Sequence, residues 1–317
     1  MEKQFNTPVL FIIFNRPDTT QQVFKAIRQV RPKYLYVAAD GPRPDKIREK
    51  EKCEVAREII KQVDWDCEVK TLFRNNNLGC KIGVSSAISW FFDNVEEGII
   101  LEDDCVSSIS FLPFCSELLE YYRNDKRIMM ISGDNFLKRK YTIQESYYFS
   151  RYHFIWGWAT WRRAWKLYDI NMQGWFNNFV KNTILNQFES NYEKRYWENI
   201  LSKTANGEID TWDYQWAFTL WNNNGLTICP STNLVTNIGA GIDATHTKIE
   251  SNVIGISSCE ITFPLKHPTQ VERDFKADKI GFNMFFKEKL RIVSAFYKLK
   301  TLIKRYWPIK SIRRRNG

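Results

Sequence analysis

Between Val9 and Ser132, short apolar runs alternate with stretches whose apolar residues recur at helical spacing. That pattern builds a parallel sheet covered by helices on both faces. Val9 to Phe14 reads as the first buried strand. Asp18 and Gln21 then form a capping-box pair, and Val23, Phe24, Ile27 and Val30 share one helix face. Tyr34 to Ala39 predicts a second strand, closed by the turn Asp40-Gly41-Pro42. The charged stretch Asp45 to Val63 predicts a helix with Val55, Ile59, Ile60 and Val63 inward. Cys67 to Phe73, Gly98 to Leu101 and Arg127 to Ser132 are further strands, separated by helices over Gly79 to Phe92 and Phe111 to Tyr122. Beyond residue 140 this alternation fades, and aromatics crowd in from Tyr147 to Trp165. The fold class expected is α/β, a mostly parallel sheet flanked by helices. One domain spans 1–265, in halves 1–135 and 136–265, followed by a linker at 266–284 and a basic amphipathic tail at 285–317.

In open α/β sheets, ligands bind beyond the carboxyl ends of the strands. The residues there are Asn15-Arg16, Asp40-Gly41, Arg74-Asn75 and Glu102-Asp103-Asp104. They include charges of the kind a nucleoside diphosphate and its metal would use. Neither G-x-G-x-x-G nor G-x-x-x-x-G-K-[ST] follows the first strand, so dinucleotide and P-loop readings lack their phosphate cradle. Adjacent carboxylates at a strand end repel each other and lose solvation, and persist only with a cation or hydrogen-bond donors nearby. Oxygen ligands suit Mg²⁺ or Mn²⁺. The plainer alternative is a surface acidic turn.

Composition sharpens this. With 317 residues, 44% hydrophobic and 15% aromatic, the chain has ample material for a core. Eleven basic residues between Lys287 and Gly317, against the single acid Glu288, account for the whole formal charge of +10. Apolar residues Phe286, Leu290, Val293, Tyr297, Ile303 and Trp307 follow helical spacing in that tail. Such a helix suits an anionic membrane surface. A nucleic-acid partner would also suit the charge, but no nucleic-acid motif appears. Seven cysteines without a C-x-x-C pair read as free thiols. The apolar run Val9 to Phe14 is broken by Asn15-Arg16-Pro17 and makes no signal peptide, and no run approaches the roughly 18 residues of a membrane span. The expected location is the cytoplasm, peripheral on the inner face of the membrane.

Ile99-Ile100-Leu101-Glu102-Asp103-Asp104, followed by Phe111 to Tyr122 and by Met130-Ile131-Ser132-Gly133-Asp134-Asn135, resembles the E-D-D region of N-acetylglucosaminyltransferase I. Its bacterial relatives, glycosyltransferase family 2 and hemolytic-protein-like enzymes of GT-A fold, share that region. Ile13-Phe14-Asn15-Arg16-Pro17 and Ala39-Asp40-Gly41 look like that family's first two donor loops. Trp156-Gly157-Trp158, Trp212-Asp213 and Pro230 to Gly241 fall in its order, so the likeness runs over about residues 7 to 247.

The resemblance implies a nucleotide-sugar-binding half at 1–135 and an acceptor-side half at 136–265. It implies that Asp104 ligates Mn²⁺ or Mg²⁺, that Asp103 and Glu102 touch the donor's sugar and ribose, that Arg16 meets the diphosphate and that Asp40 accepts from the base. Arg16 and Asp40 are also good turn residues in their own right. Asp213 is the candidate general base, with a helix-capping role as the alternative and Asp210 and Glu208 as rivals. The family has a second acid where this chain has Tyr214. His246 is a candidate for the diphosphate or metal, and Trp156 and Trp158 for stacking on an acceptor sugar, though two Trp beside Gly157 also suit a core. The function expected is inverting transfer from a UDP-linked sugar to a saccharide or lipid-linked acceptor in surface-polysaccharide assembly. A sugar nucleotidyltransferase would need a glycine-rich basic loop where Asn15-Arg16-Pro17 stands.

Overall fold

The computed structural model describes residues 4–137, 140–239 and 255–287. Strands β1 (Val9–Ile13), β2 (Tyr34–Ala39), β3 (Glu68–Phe73) and β4 (Glu97–Glu102) pair in parallel in the order β3-β2-β1-β4. Alternate residues feed two separate cores: Phe11, Val37 and Leu101 pack on one face, Leu10, Tyr36 and Ile100 on the other. This burial on both faces is why the strands read as continuous apolar runs. Helices α1 (Pro17–Val30) and α2 (Glu49–Glu58) follow β1 and β2, and α3 (Gly79–Asn94) follows β3.

The second half extends the same sheet. After β5 (Cys105–Ser107) and α4 (Phe111–Tyr121) come β6 (Ile128–Ser132), β7 (Tyr147–Ser150) and β8 (Trp158–Trp161). Helices α5 (Arg162–Trp165), α6 (Asn178–Leu185), α7 (Asn191–Ala205) and α8 (Asp213–Asn222) lead to β9 (Leu226–Pro230) and β10 (Val235–Asn237). The full order is β3-β2-β1-β4-β8-β6-β9-β7, with β8 and β7 antiparallel to their neighbours. The result is a mixed α/β architecture whose strands mostly run one way. Beside it, β5 and β10 form a two-stranded antiparallel ribbon.

Three expectations are corrected here. Asp18 and Gln21 make no capping box, because Pro17 takes the first helical position, Arg16 is the N-cap and Gln21 pairs with Gln62. Val55 is 54% exposed: α2 starts at Glu49 and turns Glu49, Cys53 and Ala56 inward, leaving Val55 off that face. The half beyond residue 140 is regular, and its strands were obscured by aromatics that pack in its core.

Residues 266–284, expected as a linker, are stitched to the domain. Ser146 and Lys266 exchange hydrogen bonds, Asp274 N donates to Phe149 O at 2.8 Å, and α9 (Phe275–Gly281) follows. Buried Asp278 accepts from Ser150 Oγ and Arg273 Nε. Phe282, Phe285 and Phe286 are buried in the core, so the expected tail boundary at 285 falls within the packed domain. The rest of the tail lies outside the described residues.

Candidate functional site

Strand order reverses direction beside β1: β2 and β3 lie on one side of it and β4 on the other. A crevice opens at such a switch point, beyond the carboxyl ends of the strands. Arg16 follows β1, while Glu102 ends β4 and precedes Asp103 and Asp104. Parallel pairing of β1 with β4 sets Ile12 opposite Glu102, so Arg16 and Asp103, 87 apart in sequence, meet.

Arg16 Nη2 pairs with Asp103 Oδ1 and lies 3.0 Å from Asp104 Oδ2, and Nε reaches Asp103 Oδ2 at 3.4 Å. Burial works against the guanidinium's charge, but Asp103 and Asp104 outweigh it and raise the Arg16 pKa. Burial raises the Asp103 pKa, Arg16 pulls it back and Asp104 pushes it up again. Glu102 is raised furthest of the run, to about 8, by burial and then by Asp104 and Asp103, with Arg16 opposing and Asp213 adding. Within this crowded acidic set Asp104 is the carboxylate on the ribbon side. Its carbonyl accepts from Ile238 N at 2.8 Å, and a side chain at Gly239 would place its Cβ 2.1 Å from Asp104 Oδ2. Any side chain at position 239 would therefore have to displace the Asp104 carboxylate.

Among the described residues no group of three or more His, Cys, Asp or Glu is arranged to hold a metal. Mg²⁺ and Mn²⁺ are commonly held by one or two carboxylates, with phosphate and water oxygens completing the shell. Asp104 fits that mode of binding, in which the cation arrives with a diphosphate, and does not fit a cage made by the protein alone. His246, the other expected contact to metal or diphosphate, lies outside the described residues.

Asp40 does a different job from the one expected. Its carboxylate accepts from Gly41 N, Leu78 N, Gly79 N and Asn77 Nδ2 at 2.9–3.1 Å. Burial raises its pKa against these backbone bonds. With its lone pairs so engaged, Asp40 braces the Asn75–Gly79 loop and the start of α3 rather than offering an acceptor to a base. The expected contact is corrected accordingly. Gly41 allows this, since a Cβ there would lie 2.4 Å from Asn76 backbone. Arg74 likewise serves α3, donating to Ser86 Oγ at 2.8 Å.

The second half of the chain brings Asp213 to the same region. Asp213 is the first residue of α8, and its Oδ1 accepts from Tyr214 N at 3.0 Å and from Thr211 Oγ1. It is close enough to contribute to the raised pKa of Glu102. Asp210 reaches the start of α3, with Oδ2 at 3.4 Å from where a Gly79 Cβ would sit. Glu208 is exposed, and its backbone N–H donates to Lys203 O.

No protein-family model matches the chain, and no curated protein sequence matches it. Among solved structures, HddC from Yersinia pseudotuberculosis aligns at 8% identity and TM-score 0.32, over 50% of this chain and 78% of that one. A 4-diphosphocytidyl-2C-methyl-D-erythritol synthase from Anaerococcus prevotii aligns at 8% identity and TM-score 0.33, over 51% and 74%. A UDP-glucose pyrophosphorylase complexed with UDP-glucose aligns at 9% identity and TM-score 0.30, over 51% and 79%. Likenesses this distant bear on neither activity nor site.

The two expected stacking residues part company. Trp158 is buried in the core, its ring stacked on Trp212 at 5.5 Å and packed beside Trp216, so it is withdrawn as a sugar contact. The reason is the pleat: on β8, Trp158 points into the core shared with α8. Trp156 stays half-buried, in edge contact with Phe136 and Phe285, and its backbone N–H donates to Asp134 Oδ2 at 3.0 Å.

Several residues at the site were not singled out from sequence. Buried Glu49 accepts from Asn15 Nδ2 at 2.8 Å and from Arg43 N at 2.6 Å, tying the loop after β2 to the end of β1. Cys80, second residue of α3, has its thiol pKa raised by burial and by Glu102, Asp213 and Asp210. Thr211 holds Asp213. None had a local signal, because each is defined by a partner distant in the chain or by a turn whose orientation the chain must first fix.

Proposed function

We propose that the chain is a metal-dependent glycosyltransferase of GT-A type. It would move a sugar, with inversion, from a UDP-linked donor to a saccharide or lipid-linked acceptor in surface-polysaccharide assembly. The observation that carries this reading is the meeting of Arg16 with Asp103 and Asp104 at the switch point, with Asp213 from the other half within electrostatic reach of Glu102. Such a transfer needs a charged set for a diphosphate and its metal, and a separate carboxylate for the acceptor's proton. Each half supplies one of them.

Asp104 would hold Mn²⁺ or Mg²⁺ together with phosphate oxygens. When bound, the cation supplies positive charge where the diphosphate departs. Arg16 binds and neutralises the diphosphate and Glu102 accepts from a donor hydroxyl, while Asp103, buried against Arg16, holds the guanidinium in place and is withdrawn as a sugar contact. Asp213 takes the proton of the acceptor hydroxyl on the face opposite the leaving group, a contribution of about 10² to 10⁴ in rate. Trp156 offers the remaining indole for an acceptor sugar's apolar face. The basic tail would rest on the inner membrane surface of the cytoplasm and keep the enzyme near a lipid-linked acceptor. No helix among the described residues is long and apolar enough to cross a membrane.

Thermal unfolding with UDP, GDP, CMP and dTDP, with and without Mn²⁺, tests the reading on the native chain and on Asp104→Ala. UDP with Mn²⁺ should raise the midpoint, a stabilisation of about 2.7 kcal/mol at a hundredfold excess over Kd, and Asp104→Ala should lose it. No shift with any nucleotide at millimolar concentration overturns the proposal.

A further inference from the structure

The Asp213 carboxylate is held unevenly. Oδ1 accepts both the Tyr214 N–H, at 3.0 Å, and the Thr211 hydroxyl, whereas Oδ2 takes part in none of the hydrogen bonds found among the described residues. No Lys, Arg or His pairs with Asp213 among those residues. The groups near it are Glu102 from β4, Cys80 from α3, Tyr168 from the turn after α5, Tyr196 from α7 and Tyr214 from its own helix, all acidic or neutral. Among the described residues Asp213 therefore has no cation to orient it. A carboxylate held by one backbone N–H still rotates about its χ angles, and a second donor on the same oxygen limits that rotation.

Thr211 is built for that task. Its side chain is buried, so its hydroxyl proton has little competition from water. As a β-branched residue it has few χ1 choices. The residue between the pair is clamped as well: the Trp212 ring stacks on Trp158 at 5.5 Å, and its carbonyl accepts from Tyr168 OH at 3.1 Å. The turn 211–213 is thus fixed from both sides, and the hydroxyl and carboxylate meet across it.

We propose that Thr211 is the positioning residue of Asp213, holding Oδ1 so that Oδ2 alone is presented to the acceptor hydroxyl. The inference rests on the reading of Asp213 as general base. In the step itself the acceptor O–H proton passes to Asp213 Oδ2 while the acceptor oxygen bonds to the anomeric carbon. The bond from that carbon to the diphosphate oxygen breaks, and the diphosphate leaves with its electron pair. Asp213 then returns its proton to solvent.

The test uses water as acceptor and measures UDP released from UDP-glucose and from UDP-N-acetylglucosamine with Mn²⁺. The full chain is compared with Thr211→Val, Thr211→Ser and Asp213→Asn. Loss of a donor to a charged group predicts that Thr211→Val lowers kcat about tenfold or more, with donor KM unchanged. Thr211→Ser, which keeps the hydroxyl, should stay within about threefold of the native rate. Thr211→Ala carries the same expectation should valine crowd its neighbours. Native turnover in the valine and alanine variants, a serine variant as slow as valine, or a rise in KM matching the fall in kcat each overturns the role of Thr211. Native turnover in Asp213→Asn overturns Asp213 as the base and Thr211 with it. A dead Asp213→Asn beside a fully active Thr211→Val would sink the Thr211 link alone. No UDP release from the native chain with either donor sinks the transferase reading itself.

Discussion

Arg16 Nη2 lies 3.0 Å from Asp104 Oδ2 while the same guanidinium pairs with Asp103, so one cation serves two carboxylates of which Asp103 is nearly inaccessible. Removing one partner of a buried pair leaves an uncompensated charge, which costs about 3 to 5 kcal/mol. Arg16→Gln should therefore lower unfolding free energy by roughly 3 kcal/mol at pH 8 in urea titrations. The deficit should shrink toward pH 5, since Asp103 without Arg16 protonates more readily and sheds the unpaired charge. An equal deficit at both pH values would contradict this.

Gly239 presses on the same pair. A Cβ there would lie 2.1 Å from Asp104 Oδ2 and 3.0 Å from Arg16 Nη1, so Gly239→Ala must displace the Asp104 carboxylate. Because the atoms it meets are side-chain ends, stability should fall by no more than about 1 kcal/mol. The thermal shift with UDP and Mn²⁺ should nevertheless disappear. Retention of the full shift would mean that Asp104 is not needed where it stands.

Asp134 is a buried acid without a cation: Oδ2 accepts from Trp156 N, and Oδ1 has no partner among the described residues. Burial raises its pKa well above the usual carboxylate range. Its folded pKa thus exceeds its unfolded one, so the folded state holds the extra proton and stability falls as pH rises from about 4 through the folded value. Asp134→Asn cannot ionise and should remove that part of the slope in denaturation curves from pH 5 to 9. A slope identical to that of the native chain would refute a protonated Asp134.

Asp278 ties the C-terminal segment to β7 through Ser150 and pairs with Arg273 of its own segment, and both charged side chains are largely buried. Asp278→Ala should cost about 3 kcal/mol and open the chain after Arg273 to proteases. Unchanged stability and proteolysis would return residues 266–284 to the linker reading.

The strands and helices of the first half were legible because their signals are local. Val9–Ile13 and Tyr34–Ala39 are apolar on both sides, and the acidic run sits at the end of such a strand. Residues of the right type at strand ends were therefore found by counting along the chain, Arg16 and Asp104 among them. The second half was less readable because its strands are short and aromatic. Their apolar character alone could not separate Trp156, left half-buried, from Trp158, turned into the core.

By itself the sequence determined the buried strands, the order of charged residues at their carboxyl ends and the basic character of the tail, since these depend on periodicity and charge along the chain. Tertiary structure alone decided which charges meet: that Arg16 bridges Asp103 and Asp104, that Asp40 is spent on the Asn77 side chain and the Leu78 and Gly79 backbone and that Thr211 holds one oxygen of Asp213. Each of these depends on which strands are neighbours and how a turn is clamped, and a hydrogen bond depends on distance and angle that no spacing in the chain encodes.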